Sequence, residues 1–316
     1  MVVTHGSHPG TPAPSAWTVG NFDGLHRGHR EMLVRVLRQA RFLGVPASVL
    51  TFEPHPREFF ATDTALAPSR PAPARITRMR DKLELLAEAG MDRVHVARFD
   101  AGLAAMPAET FVTGFLLRGL GVKWLLVGSD FRFGARRSGD FALLRAMAAK
   151  HGFAAEAMPD VEDGGVRVSS SAIRAALSGG DLALAERLLG RPYVISGRVA
   201  HGAKLGRQLG FPTANIVLRR APPVTGIFVV DATDEASGAR WRGVASVGRR
   251  PTVNAVPVPL LEAHLFGVEG EMYGRHLRVR FLARLRDEEK YEGLDALRDA
   301  IARDVKHTKE WFAKHG

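Results

Sequence analysis

The chain has 316 residues, 44 Lys+Arg against 33 Asp+Glu, a net charge of +11 and no cysteine. At about 150 residues per domain this length implies two domains, and the missing thiol excludes disulfide scaffolds, iron–sulfur clusters, zinc fingers and thiol catalysis. No apolar run approaches the roughly 20 residues that span a bilayer, so no membrane association is expected. The basic residues are scattered rather than blocked, which reads as charge spread over the surface, with no nucleic acid expected and small anionic ligands compatible.

Residues 1–15 are rich in Pro, Gly, Ser and His and lack the apolar centre of a signal peptide. They read as a flexible tail, with the cytoplasm as the expected location. Strand-like runs over 45–52, 93–98, 124–127 and 153–158 then alternate with helical periods over 30–43, 75–89, 108–120 and 140–151. Such alternation argues for an α/β domain over 16–189, a parallel sheet covered on both faces with ligands at the carboxyl ends of its strands. The Pro-rich stretch 65–74 has loop composition. After Gly190-Arg191-Pro192 the texture changes to short runs at 194–199, 227–232, 241–247, 260–266 and 277–285, broken by Gly and Pro. This spacing predicts a small antiparallel β-barrel or sandwich over 190–316. Leu294, Leu297, Ile301 and Val305, with Trp311 and Phe312 beyond them, predict a C-terminal amphipathic helix that packs on it.

The first cluster of chemistry-bearing residues follows a strand-like run at Trp17. It reads Gly20-Asn21-Phe22-Asp23-Gly24-Leu25-His26-Arg27-Gly28-His29 and opens a helix. Glycines let backbone approach a ligand, and a helix N-terminus offers free N–H groups to an anion. His26 and His29, three apart, share a face if both lie in the first turn, where two imidazoles could donate to a triphosphate. Either histidine alone is more simply a cap or a packed ring; the combined spacing points to phosphate. No further His or carboxylate spacing completes a metal site.

This segment resembles the glycine–histidine signature of HIGH-type nucleotidyltransferases. Phe52-Glu53-Pro54-His55-Pro56, Val127-Gly128-Ser129-Asp130-Phe131-Arg132-Phe133-Gly134 and Val168-Ser169-Ser170-Ser171-Ala172-Ile173-Arg174 narrow the likeness. With them the chain resembles the prokaryotic bifunctional riboflavin kinase/FMN adenylyltransferases, the FAD synthetase family. The resemblance implies that Gly20, Phe22, Asp23, Gly28, Ser170 and Ser171 bind nucleotide, that His26, His29 and Arg174 act on the triphosphate, and that Asp130 and Phe131 border the flavin. Ser171 stands where the family usually has Thr, and the hydroxyl is kept.

A second cluster lies past the boundary, where Gly202, Lys204 and Gly206 precede Phe211-Pro212-Thr213-Ala214-Asn215. The glycine run is neither a Walker A nor a protein-kinase loop; Gly202, Lys204 and Gly206 are expected to bind nucleotide by wrapping its phosphate chain, although alone the run reads as a barrel hairpin. The Phe-Pro-Thr-Ala-Asn string resembles the riboflavin kinase signature, whose Thr and Asn bind the magnesium–nucleotide; Thr213 and Asn215 are hard oxygen donors suited to Mg²⁺. The same resemblance gives Glu262 the position of the base and sets Arg286 beside flavin and phosphate.

The implied fold is a Rossmann-like nucleotidyltransferase domain followed by a six-stranded kinase barrel. Its implied chemistry is ATP-dependent phosphorylation of riboflavin to FMN in the C-terminal domain and adenylylation of FMN to FAD, with release of pyrophosphate, in the N-terminal one. ATP, riboflavin, FMN, FAD and Mg²⁺ are the implied small molecules. Two alternatives stay open at this point, a chain that keeps one activity and a basic RNA-binding relative of nucleotidyltransferases, and self-association is equally open.

Overall fold

Strand β2 (Ser15–Val19) is buried at every position, as a central strand covered on both faces must be. Around it the computed structural model, which describes residues 1–6, 13–62, 72–202, 206, 209–252 and 255–315, builds a six-stranded parallel sheet. The other strands are β1 (Val2–Gly6), β3 (Ala47–Glu53), β4 (Arg93–Arg98), β5 (Val122–Gly128) and β6 (Ala154–Met158). Their order is β1-β4-β3-β2-β5-β6. The chain therefore runs outward from β2 through β3 to β4 and then crosses back to place β5 on the other side of β2. That reversal is a topological switch point, where an open α/β sheet leaves a crevice at its strand ends.

Alternating side chains of the sheet feed two cores. Trp124 and Leu126 of β5 join α1 (Arg27–Leu43) and α3 (Met79–Glu88) through Leu33, Val36 and Leu86 on one face. Leu125 and Val127 join Phe111, Phe115, Leu144 and Met147 on the other. The last two belong to α6 (Phe141–His151), capped by the Asp140 carboxylate, which accepts from Leu143 N–H. The short helices α2 (Pro56–Thr62) and α4 (Ala101–Ala105) and the hairpin of β7 (Glu162–Asp163) with β8 (Val166–Arg167) fall within the same unit. The helical period expected over 108–120 is present, mostly in π-helical form. After α5 (Ala108–Thr110) the turns widen into a π-helix, Phe111–Gly119, which keeps Phe111, Val112, Phe115 and Leu116 buried.

The N-terminal expectation of a flexible tail is corrected over residues 2–6. Val2–Gly6 pairs in parallel with β4, and the reason is side-chain chemistry. His95 of β4 is 1 % exposed; its Nε2–H donates to Gly6 O at 3.1 Å, so its Nδ1 accepts from Thr4 Oγ1 at 2.8 Å. A neutral imidazole thus fastens the edge strand twice.

The second unit comprises residues 74–78 and 170–316, the first 1–73 and 79–169. Residues 170–189 are thereby grouped with the barrel rather than with the sheet as expected from 16–189. They form α7 (Ser170–Gly179) and α8 (Leu182–Leu189). A Cβ on Gly180 between them would stand 2.5 Å from Arg284 Cδ, and Arg174 Nε donates to Ala74 O at 2.7 Å. The barrel strands are β9 (Val194–Ala200), β10 (Ala214–Val217), β11 (Gly226–Asp234), β12 (Arg240–Thr252), β13 (Ala255–Leu265) and β14 (His276–Arg286). They close in the order β10-β13-β12-β11-β14-β9, with β9 pairing β10, so the antiparallel barrel has no free edge. Its interior is filled by Ile195, Ile216, Phe228, Val230, Leu261, Val279 and Phe281.

Helix α9 (Leu294–His315) follows as expected, but its buried stripe is Ala300, Asp304, Thr308 and Phe312. The stripe is turned by about one residue from the expected Leu294–Leu297–Ile301–Val305 face, leaving Leu294 56 % exposed. An acidic side chain is drawn inward because Arg286 awaits it. No helix among the described residues is long and apolar enough to cross a membrane.

Burial, the largest influence, lowers the pKa of His95 below its ordinary 6.5. A histidine depressed in the folded state contributes stability that is complete above the unfolded value and lost as pH falls below it. Thermal melts should therefore show wild type losing more stability than His95→Gln between about pH 7.5 and about pH 5. Parallel curves for the two proteins would remove His95 from the pH dependence.

Candidate active sites

Between β2 and α1 the chain must turn a strand end into a helix start within seven residues, 20–26. It does so through left-handed backbone at Phe22 (φ 47°), Gly24 (φ 87°) and Leu25 (φ 38°), with Phe22 and Leu25 each 1 % exposed. The result differs from the expected shared helical turn. His26 lies just outside α1 as its N-cap, and its Nδ1 accepts from His29 N–H at 3.3 Å. The cap nevertheless brings the two rings into a stack, 3.6 Å between centroids and 16° between planes, with Phe22 4.9 Å from His29 on its other side. With Nδ1 accepting, the proton of a neutral His26 sits on Nε2.

The glycines fit close quarters. A Cβ on Gly28 would lie 3.3 Å from the His26 ring, and one on Gly20 would lie 3.2 Å from the Phe22 ring. Asp23 is buried in the same turn. Six expected residues, Gly20, Phe22, Asp23, His26, Gly28 and His29, are thus gathered at the N-terminus of α1 beside the switch point, a geometry suited to anions.

Asp130 and Phe131 stand in the same unit at the end of β5. Phe131 is half-buried and stacks on Phe133 at 5.4 Å. Asp130 is exposed and paired with Arg167 at 3.1 Å, which also reaches Asp160 at 2.9 Å, so the loop is tied to the β7–β8 hairpin. Gly134 in this loop has φ 71°, and a Cβ there would come 2.6 Å from the Ala108 backbone, so no other residue fits. Ser170, Ser171 and Arg174 lie on α7 in the second unit.

In that second unit a cavity of about 260 Å³ is bordered by Thr213, Glu262, His264, Arg286, Leu297 and Ile301 among others. Glu262 on β13 faces Asn215 of β10 on one side and Ser246 of β12 on the other. His264 Nδ1 lies 2.8 Å from Pro212 O. Asn215 is 6 % exposed; its Nδ2 donates to Thr213 O at 3.3 Å, and its Oδ1 is buried with no hydrogen-bond partner among the described residues. Gly202 and Gly206 close over this corner. Added Cβ atoms would come 2.5 Å from Asn215 Nδ2 and 2.4 Å from Phe211 O, respectively. Lys204 lies outside the described residues. A buried amide oxygen left to be satisfied, a neighbouring Thr213 hydroxyl and a cradle that excludes any Cβ fit a hard, oxygen-loving cation such as Mg²⁺.

Arg286 borders the cavity, but its guanidinium is already engaged. Nε and Nη2 donate to the two Asp304 carboxylate oxygens at 2.9 and 2.6 Å, and Nη1 donates to Asp287 O at 2.9 Å. The Asp304 hydrogen bonds, opposed in part by burial, raise the Arg286 pKa above its ordinary value. Direct contact with flavin or phosphate is thus not what most of its donors do here. Sequence reasoning missed Asp304, which reads as an ordinary polar position of an amphipathic helix until Arg286 stands opposite it. It also missed Lys82, a fully buried cation on α3 whose Nζ donates to Asn21 O at 2.6 Å.

Comparison with known proteins finds two families in succession along the chain. Residues 8–172 match the family model for FAD synthetase and residues 189–312 that for riboflavin kinase. The chain is similar to the bifunctional riboflavin kinase/FMN adenylyltransferase of Escherichia coli K12, 45 % identical and covering 99 % of this chain and 98 % of that protein. The Pseudomonas fluorescens protein of the same name is 47 % identical, over 91 % and 90 %. A crystal structure described as a macrolide-efflux protein from Streptococcus pneumoniae superposes with TM-score 0.79 at 28 % identity, covering 98 % of this chain and all of the other.

Proposed function

Because the chain belongs to the bifunctional riboflavin kinase/FMN adenylyltransferase family, we propose how its own residues divide the two reactions. Riboflavin is phosphorylated by ATP to FMN, and FMN is adenylylated by ATP to FAD. The first step starts from an alcohol, a poor nucleophile near neutrality, and needs a positioned base. Glu262 accepts the proton of the ribityl hydroxyl as its oxygen attacks the γ-phosphorus, and ADP leaves. The observation that carries this reading is the single rung of the barrel on which Glu262 faces Asn215 at the rim of the cavity. Thr213 and Asn215 hold Mg²⁺, which when bound offsets the charge of the nucleotide. Leu297 and Ile301 offer apolar surface to a flavin ring, and Arg286, held by Asp304, shapes the wall rather than reacting.

The second step starts from the FMN phosphate, already an anion. One of its oxygens attacks the α-phosphorus of ATP, pyrophosphate leaves, and no proton has to be removed. Alignment and charge neutralisation are what this step requires. The stacked His26 and His29 and the positive N-terminal end of α1 face the charge of the phosphates in this reading, with Gly20 and Gly28 allowing the approach. Asp130 and Phe131 form part of the flavin side of this unit. For Ser170, Ser171 and Arg174 the proposal rests on the motif, hydroxyls at a helix start with a guanidinium one turn on, which suits an anion. The cytoplasm is the proposed location.

Three variants test this division in the full chain. Glu262→Gln is expected to slow FMN formation by about 100-fold and to leave FAD formation from supplied FMN within about twofold. His29→Ala is expected to do the reverse, with a loss of about 100-fold in FAD formation. Chromatographic assay of each product separately reads both outcomes; equal loss of the two activities in a folded variant counts against separate sites. Gly202→Ala pushes a methyl group into the Asn215 amide and should raise the KM for ATP in FMN formation by about tenfold, with FAD formation unaffected. An unchanged KM would detach Asn215 from nucleotide binding.

A further inference from the structure

Lys82 sits on the buried face of α3, 1 % exposed, directly against the loop that carries the imidazoles. Its Nζ donates to the Asn21 carbonyl at 2.6 Å and lies 3.5 Å from Thr51 Oγ1; Thr51 Oγ1 donates to the same carbonyl at 3.3 Å. Both lone pairs of one loop carbonyl are thus taken by side chains from outside the loop, one on α3 and one on β3.

The next four residues show why such anchoring is needed. Phe22 and Leu25 carry Cβ atoms into left-handed backbone, a strained conformation that persists only where the surroundings impose it. Removing an ammonium from water is itself costly, and a methionine of similar length would fill the same space without that cost. Packing alone therefore gives no reason for a lysine here. The geometry of the loop does.

We propose that Lys82 is a positioning residue for adenylyl transfer: by holding the Asn21 carbonyl it keeps 22–25 in the turn that makes His26 the cap of α1 and stacks it on His29. Lys82 itself meets neither substrate. The inference rests on the reading of the His26–His29 site given above.

The test uses the full chain, assayed well below its melting temperature, with FAD formation from FMN and FMN formation from riboflavin measured side by side. Lys82→Met should lower kcat for FAD formation by about 10- to 30-fold, move the KM for FMN by less than about threefold and leave FMN formation within about twofold. A merely structural lysine would instead reduce both activities together with the melting temperature, and that result overturns the proposal, as does a kcat for FAD formation within about twofold of wild type. If Lys82→Met yields no folded protein, Thr51→Val decides, because it withdraws the weaker donor alone. A loss of about threefold confined to FAD formation supports the clamp, and unchanged turnover refutes it. His29→Ala separates the two layers of argument. Should that variant retain FAD formation, the reading of the site fails; should it lose FAD formation while Lys82→Met does not, only the role of Lys82 fails.

Discussion

A helix N-terminus can meet an anion only if the chain reverses within a few residues of the strand that delivers it, and between Val19 and Arg27 that reversal runs through left-handed backbone at Phe22, Gly24 and Leu25. The apolar side chains in this turn are buried, so the strain is held by packing from within and by the Asn21 carbonyl from below. Everything outward of the turn follows from it. The cap places His26 over His29, and the stack fixes the mutual direction of both rings at the start of α1. Pre-set donors of this kind need no rearrangement when charge shifts, which is the condition for electrostatic catalysis.

The barrel solves a different problem. Phosphorylating an alcohol calls for a carboxylate, an oxygen-ligated cation and an apolar slot within a few ångströms of one another. In the proposed reading a closed antiparallel barrel supplies fixed cross-strand neighbours for the first two. Glu262 and Asn215 are such neighbours, and their mutual placement is set by strand register rather than by loop conformation. The slot is completed by α9, which brings Leu297 and Ile301 to the cavity. The bidentate Arg286–Asp304 pair fixes the rotation of that helix, since its fork geometry tolerates little twist. An arginine that looks like a ligand in sequence is thereby also part of the frame.

What could be read beforehand, and what could not, follows from how far each signal reaches. The strand at Arg93–Arg98 shows in its own alternation, and the helix at Phe141–His151 shows in its apolar period and Asp140 cap. The glycine–histidine run and the Phe-Pro-Thr-Ala-Asn string announce sites because their chemistry is local. By contrast β1 is five residues whose pairing depends on His95, ninety positions away, and nothing in Val2–Gly6 reveals that partner. Strand β10, Ala214–Val217, begins inside the Thr-Ala-Asn string, whose chemistry masks it. Asp304 and Lys82 look like ordinary polar positions on amphipathic helices until Arg286 and Asn21 stand opposite them. The expected face of α9 was turned for that reason, because hydrophobicity alone cannot count an inward carboxylate. Residues 170–189 read as part of the sheet domain since helices alternate with strands there too, and only tertiary packing groups them with the barrel.

The widened turns of Phe111–Gly119 bear on how this unit can change in length. A π-helix accommodates one more residue than an α-helix of equal span would need, and such bulges persist when the extra residue aims side chains usefully. Here the register aligns Phe111 and Phe115, 5.6 Å apart and 9° from parallel, with Phe133 5.7 Å from Phe111, so the aromatic support beneath the 129–134 loop depends on it. A one-residue deletion inside this helix could therefore be absorbed by the backbone as ordinary α-helix, yet it would rotate that support away from the loop. A deletion in this stretch is thus felt both by the buried residues of the helix and by the loop above it.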